Sequence, residues 1–387
     1  MKKRLITTLF LLGLFILLVQ CSKYEKTSVG SDHFERENSG SVAQMLKIAL
    51  RDTSYQTYAP NGFSVYLYVG QNKGIRCQSL LLFSGFPDSG IVDSVILSHR
   101  FTGVIGSARG SLVPTVHTVT GEWDETEVTW ESFNMSNLLG DEVTTQVLYS
   151  DTDSVSYMLP QDLVQSWMDT STLENFGLLL SYSTPDTGFI MQFYSKESPL
   201  EWASVPQLTI YVTRDSIQST YTKFPTADAY IATAPYDPTS ERLYIADGAQ
   251  LRSLLFFDLD SIPENATVNR ALLTLYNDTT LSFPDHSAPF EFVAFICTDT
   301  TWWSSFETFA FDSSLSFTGS VEDDSAVINL TFYVQNWTIG IKENNGIILL
   351  GKNERSDLMR RAFYSRTDSQ KKPRLEIIYS LPPSGRF

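Results

Sequence analysis

Short apolar runs and strict apolar–polar alternation recur along the chain, and helical periodicity is almost absent. Leu208, Ile210 and Val212 alternate with Gln207 and Thr209, and Leu375, Ile377 and Tyr379 follow the same rule around Arg374 and Glu376. A period of two is that of a half-buried antiparallel strand. The runs LLLF (80–83), LLFF (254–257), GLLL (177–180) and GIILL (346–350) are short and wholly apolar, bounded by Gly, Pro and polar residues. Such runs suit central strands with both faces covered. Ile262-Pro263-Glu264-Asn265 and Phe86-Pro87-Asp88-Ser89 read as turns. One helical turn is expected, Asp162 to Met168, capped by Asp162 and with Leu163 and Trp167 on one face.

The pattern is written twice. Ser79-Leu80-Leu81-Leu82-Phe83 recurs as Ser253-Leu254-Leu255-Phe256-Phe257, and Val164-Gln165-Ser166-Trp167 as Val334-Gln335-Asn336-Trp337. Phe193-Tyr194-Ser195-Lys196 recurs as Phe363-Tyr364-Ser365-Arg366, and Pro206-Gln207-Leu208-Thr209-Ile210 as Pro373-Arg374-Leu375-Glu376-Ile377. Ordered matches with a slowly drifting offset point to two homologous domains, 51–213 and 221–381, joined by the polar link 214–220. Many short strands with sparse helix make the expected class all-β: two tandem antiparallel β-sandwiches, jelly-roll-like.

The N-terminus reads as an address. Lys2, Lys3 and Arg4 precede an apolar stretch from Leu5 to Val19, short for a bilayer span and suited to a signal peptide. Leu18-Val19-Gln20-Cys21 resembles a lipobox, which makes residues 1–20 a lipoprotein signal peptide and Cys21 the lipidation site; the alternative is an uncleaved membrane anchor. Residues 21–50 then read as a lipid-anchored tether. Ser22 after the cysteine favours the outer membrane or cell surface.

Composition narrows the partners. The 387 residues carry 44 acidic against 28 basic side chains, a net charge of −16, which argues against nucleic acid or an acidic membrane face as ligand. Three cysteines are too few for a disulfide scaffold, and Cys77 and Cys297 read as small buried residues. Four histidines form no metal-ligand cluster, and no nucleophile elbow, Walker loop or dinucleotide fingerprint occurs.

The repeated segments resemble the DNRLRE domain family, related to disaggregatase C-terminal domains and classed as carbohydrate-binding module family 96. Gly121-Glu122-Trp123-Asp124-Glu125-Thr126-Glu127-Val128-Thr129-Trp130 is the most specific stretch, joined by Leu254 to Leu259, Ile262-Pro263 and Asn345-Gly346. The first copy has Ser84-Gly85 where the second has Asp258-Leu259, and the second lacks a Trp-Asp-Glu before Trp302. The resemblance implies an extracellular jelly-roll sandwich that binds polysaccharide without catalysis.

Sugar recognition needs aromatic faces flanked by polar groups. Trp130, Trp302, Trp167 and Trp337 are repeat-matched among apolar neighbours and read as core. Trp123, Trp202 and Trp303 are the candidate platforms; the plainer reading of each is a loop Trp folded back on a sandwich edge. Residues 352–374 hold eight basic against three acidic residues, so Lys352, Arg360 and Arg361 are candidates for gripping an anionic polysaccharide, against a reading as solvated strand ends. Arg366 matches Lys196 and suits a structural ion pair. Asp151 and Asp153, or the run 322–324, would supply oxygens to a structural calcium ion, the plainer reading being an acidic loop. The expected function is non-catalytic polysaccharide binding at the cell envelope. The rival is a structural or adhesive envelope protein that binds protein partners.

Overall fold

The computed structural model describes residues 41–107, 113–150, 153–169, 174–182, 188–199, 204–236, 241–284, 289–306, 309–322 and 324–382. The segment 1–20 expected to be a signal peptide, Cys21, Trp202 and Asp151 lie outside these residues. The chain is all-β, with two large curled antiparallel sheets and three short helices among the described residues.

The first part of the chain forms β1 (Val42–Ile48), β2 (Arg51–Gln56), β3 (Tyr66–Asn72), β4 (Ile75–Phe83), β5 (Ile91–Gly106), β6 (Thr115–Val119), α1 (Trp130–Met135) and β7 (Leu139–Val143). Next come β8 (Gln146–Ser150), β9 (Ser154–Leu159), α2 (Gln161–Met168), β10 (Leu178–Ser181), β11 (Phe189–Tyr194), β12 (Gln207–Arg214), β13 (Ile217–Lys223) and β14 (Pro225–Thr233). The remainder forms β15 (Arg242–Ala246), β16 (Leu251–Phe256), β17 (Thr267–Tyr276), β18 (Glu291–Cys297), a 3₁₀ turn (Thr301–Trp303), β19 (Phe311–Glu322) and β20 (Ser325–Asn329). It ends with α3 (Thr331–Thr338), β21 (Ile347–Gly351), β22 (Arg360–Tyr364) and β23 (Arg374–Ser380).

One sheet runs β13-β12-β5-β11-β3-β4-β10-β6-β7, with β14 added on β4 and β9 linking β5 to β8. The other runs β1-β23-β17-β20-β19-β18-β21-β16-β2, and β15 pairs with β22 beside it. The repeat is legible in this order: β12 pairs with β5 as β23 pairs with β17, and β10 with β4 as β21 with β16.

The structure departs from the sequence division at the start of each repeat. β1 pairs with β23 over seven residues and β2 with β16 over six, so residues 42–56 complete the second sandwich. Part of the expected tether is therefore an edge strand. Conversely, β13 and β14 pair with β12 and β4 and complete the first sandwich. The same contact marks both seats: Asp228 Oδ2 accepts from Lys196 N at 2.8 Å, and Asp52 Oδ2 from Arg366 N at 2.6 Å. The strand pair that opens each repeat is thus seated in the other repeat's sandwich.

Alternation sets the packing as expected. Leu208, Ile210 and Val212 in β12 and Leu375 and Ile377 in β23 are buried in the two sandwich cores. Each fully buried side chain of this size contributes about 1.5–3 kcal/mol. The wholly apolar runs are explained by two cores on opposite faces. Leu81 and Phe83 point into the first sandwich, while Leu80 and Leu179 join Val119, Val128 and Phe133 beneath the α1 segment. Likewise Leu255, Ile347 and Leu349 point inward, and Leu254 and Ile348 pack outward with Tyr55, Cys297 and Trp302. Cys77 and Cys297 are buried free thiols.

The expected helix exists as α2, but Pro160 holds the cap position and Asp162 sits inside the first turn, accepting from Leu163 N. Leu163 and Trp167 do share the core-facing side. α1 and α3 were not expected. α1 is fixed by a capping box in which Thr129 and Ser132 each bond the other's backbone N–H.

Candidate functional site

Several repeat-matched polar residues are clasps within the fold. Gln165 Oε1 accepts from Val92 N at 2.8 Å, and its counterpart Gln335 Oε1 from Val268 N at 2.7 Å, pinning each helix to the strand beside it. Asn175 donates to Phe83 O and Asn344 to Phe257 O, each just before a glycine with φ near +93°. At Gly177 a Cβ would lie 2.4 Å from Leu81 O, and at Gly346 2.6 Å from Leu255 O, so only glycine fits either turn.

Trp123 belongs to the same machinery. Its Nε1 donates to Phe176 O at 2.8 Å, and Trp302 Nε1 donates to Asn345 O at 2.9 Å, in each case the carbonyl before the turn glycine. The structural partner of Trp302 is therefore Trp123, whereas the sequence pairs Trp302 with Trp130. Trp123 is half-buried and closes the outer core, one wall of an open depression of 490 Å³.

Trp303 is 39 % exposed, as the step to the opposite side of Trp302 suggests. The Arg51 guanidinium lies 4.4 Å from its ring centre and Phe256 meets it edge-on at 5.2 Å. Phe306, 36 % exposed, stacks on Tyr55 at 5.5 Å, so this aromatic surface is assembled on the seated strand β2.

The basic candidates do not form a groove. Arg361 is fully buried, donates to the carbonyls of Phe283 and Arg360, and lies over the Phe290 ring at 5.3 Å. Arg360 is also buried and donates to Leu281 O and, across to the first sandwich, to Lys73 O. An arginine enclosed in this way is a strut between sandwiches. Lys352 is at the surface, paired with Glu291 at 2.7 Å. Arg366 makes the expected structural pair, with Asp52 at 3.3 Å. Asp153 is exposed and its carbonyl accepts from Phe101 N, while Asp324 O accepts from Asn277 N. Among the described residues no cluster of three or more acidic, His or Cys side chains gathers for calcium or another metal.

The first sandwich carries a concave site of 330 Å³ that sequence reasoning missed, lined by Gln71, Arg76, Gln78, Trp130, Asn134 and Tyr182 over Phe133 and Leu139. The β3–β4 turn, with Lys73 and Gly74 at positive φ, brings Arg76 and Gln78 onto the outward face of β4. The capping box of α1 sets Trp130 and Asn134 on the opposite wall, and buried Phe133 anchors them. Asn134 Nδ2 donates to Trp130 O at 2.6 Å, and the Tyr182 hydroxyl donates to Met191 Sδ at 3.2 Å. Burial pushes the Tyr182 phenol well above its ordinary value, keeping it a neutral donor. Arg76 is exposed and makes no ion pair among the described residues. Among the described residues no carboxylate lines the site. The signal available in sequence was alternation: Arg76 and Gln78 precede the outward Leu80 at a spacing of two.

The outer face of the second sandwich is filled instead. Arg252 is locked to Glu354 by two bonds of 2.8 and 2.7 Å beside Phe311, with Phe306 and Phe309 packed on Tyr55. That sandwich has its own pocket elsewhere, 230 Å³, lined by Phe332, Tyr333, Trp337, Leu315 and Ile341, with Asp312 and Lys342 paired at 3.3 Å. Comparison with protein-family models, curated proteins and solved structures finds no match.

Proposed function

We infer that the protein is a non-catalytic polysaccharide-binding lipoprotein of the cell envelope, held by lipid on Cys21 and facing outward, most readily from the outer membrane. The observation that carries this reading is the first-sandwich site: two aromatic rings, Trp130 and Tyr182, face a set of amides and a guanidinium that makes no ion pair among the described residues. Rings cover the C–H face of a pyranose, and Gln78, Asn134 and Arg76 replace water at its oxygens. Arg76 favours an anionic chain, since a guanidinium binds carboxylate or sulfate in bidentate fashion.

The test is a polysaccharide array probed with residues 41–382. Binding to at least one glycan, lost on Tyr182→Ala and kept on Trp303→Ala, supports the reading and its site. Binding lost only on Trp303→Ala would move the site to the second sandwich. No binding to any glycan would leave the rival, a structural or adhesive protein with protein partners. That rival has one favouring observation: Leu315, Phe332 and Ile341, 41–66 % exposed, form an apolar rim at the second-sandwich pocket.

A further inference from the structure

Each strand pair that opens a repeat follows one docking rule. β13 and β14 are laid on the repeat that precedes them, with β13 continuing the β12 strand as a hairpin through Asp215 and Ser216, both at positive φ. β1 and β2 take the equivalent seats on the second repeat: β1 along β23, β2 along β16, Asp52 under Arg366 as Asp228 lies under Lys196.

The two seats differ in connectivity. β13–β14 is tied to the chain on both sides within the described residues, whereas the segment 42–64 joins the remainder of the folded chain only at Val65. It touches the first sandwich through Ser195 Oγ to Ser64 O and Gln56 Nε2 to Thr233 Oγ1, and the second through Thr57 N to Gln250 O, Gln250 Nε2 to Ala59 O, Asn61 Nδ2 to Gly248 O, and Ser64 Oγ to Ser356 O. β1 and β2 are also the two outermost strands of their sheet, so the segment can leave or enter without threading the chain. An identical segment from a second molecule would make each of the contacts to the second sandwich, and exchange of an identical element needs no new complementarity.

We propose that the seat along β23 and β16 also accepts residues 42–64 of a second copy of this chain, so that two molecules associate by exchanging their N-terminal strand pairs. The partner is fixed by register: Gln44 of one chain lies opposite Ile378 of the other, as it lies opposite Ile378 within one chain.

The test refolds residues 41–382 carrying Gln44→Cys and Ile378→Cys over a range of chain concentrations, then oxidises and maps cross-links between mass-labelled and unlabelled chains. Interchain cross-links joining positions 44 and 378, rising in proportion to chain concentration, are expected. The unmodified chain, refolded alongside, should show by light scattering a dimer that grows with concentration. Cross-links confined to single chains at every concentration, with a monomeric mass, would overturn the proposal. So would a dimer of the unmodified chain with no interchain cross-link between these two positions.

Discussion

Asp247 shows what burial does to a single side chain here. It is 2 % exposed, its Oδ1 has no hydrogen-bond partner, and the nearby carboxylates of Asp357 and Glu354 oppose its charge. Burial first, and those neighbours second, push its carboxyl up to about 8. In the unfolded chain the group ionises near pH 4, so between about pH 4 and 8 the folded protein holds a proton that the unfolded one has lost. Its contribution to stability is complete below pH 4 and falls as pH rises towards 8, by up to about 1.4 kcal/mol per unit. Urea denaturation should therefore show Asp247→Asn gaining on the parent protein as pH rises from 5 to 8; parallel stability curves would contradict this. Arg76 is the opposite case, an exposed side chain with no ion pair among the described residues. Arg76→Ala should change stability by no more than about 0.5 kcal/mol, checked by the same denaturation.

At the scale of elements, the clasps set what each repeat tolerates. Gly177→Ala places a Cβ 2.4 Å from Leu81 O and forces alanine into positive φ, so a loss of more than about 2 kcal/mol is expected on thermal unfolding. Gln335→Ala leaves Val268 N without its acceptor and should cost about 1–3 kcal/mol. The strands themselves were legible, because alternation and apolar runs report burial directly. Their seating was not: β1 alternates as a strand should, but nothing in Val42 to Ile48 says that its partner lies more than 300 residues away. The chain lacking residues 41–56 should lose the β23 and β16 pairings, and with them the cooperative unfolding of the second sandwich. An unchanged second transition in calorimetry would contradict the seating.

For the molecule as a whole, the two repeats share a scaffold and differ at the surface. Clasps, turn glycines and cores are duplicated, and these were readable as repeats. The site is not duplicated, which is why matching the copies could not find it: Arg76, Gln78 and Tyr182 face an open concavity, while the second sandwich fills its outer face with Phe306, Phe309, Phe311 and the Arg252–Glu354 pair. The candidate arginines failed for a related reason, since a run of positive charge in sequence does not distinguish a surface groove from a junction between sandwiches. The proposed site, found in one copy among the described residues, predicts one glycan site per chain. Calorimetric titration of residues 41–382 with a bound oligosaccharide, beside Arg76→Ala and Tyr182→Ala, tests the account most directly. One site per chain, weakened about 10- to 100-fold by loss of a charge-assisted contact at Arg76 or a stacking ring at Tyr182, is the predicted result. Binding unchanged in both variants, or absent from the parent protein, would contradict it.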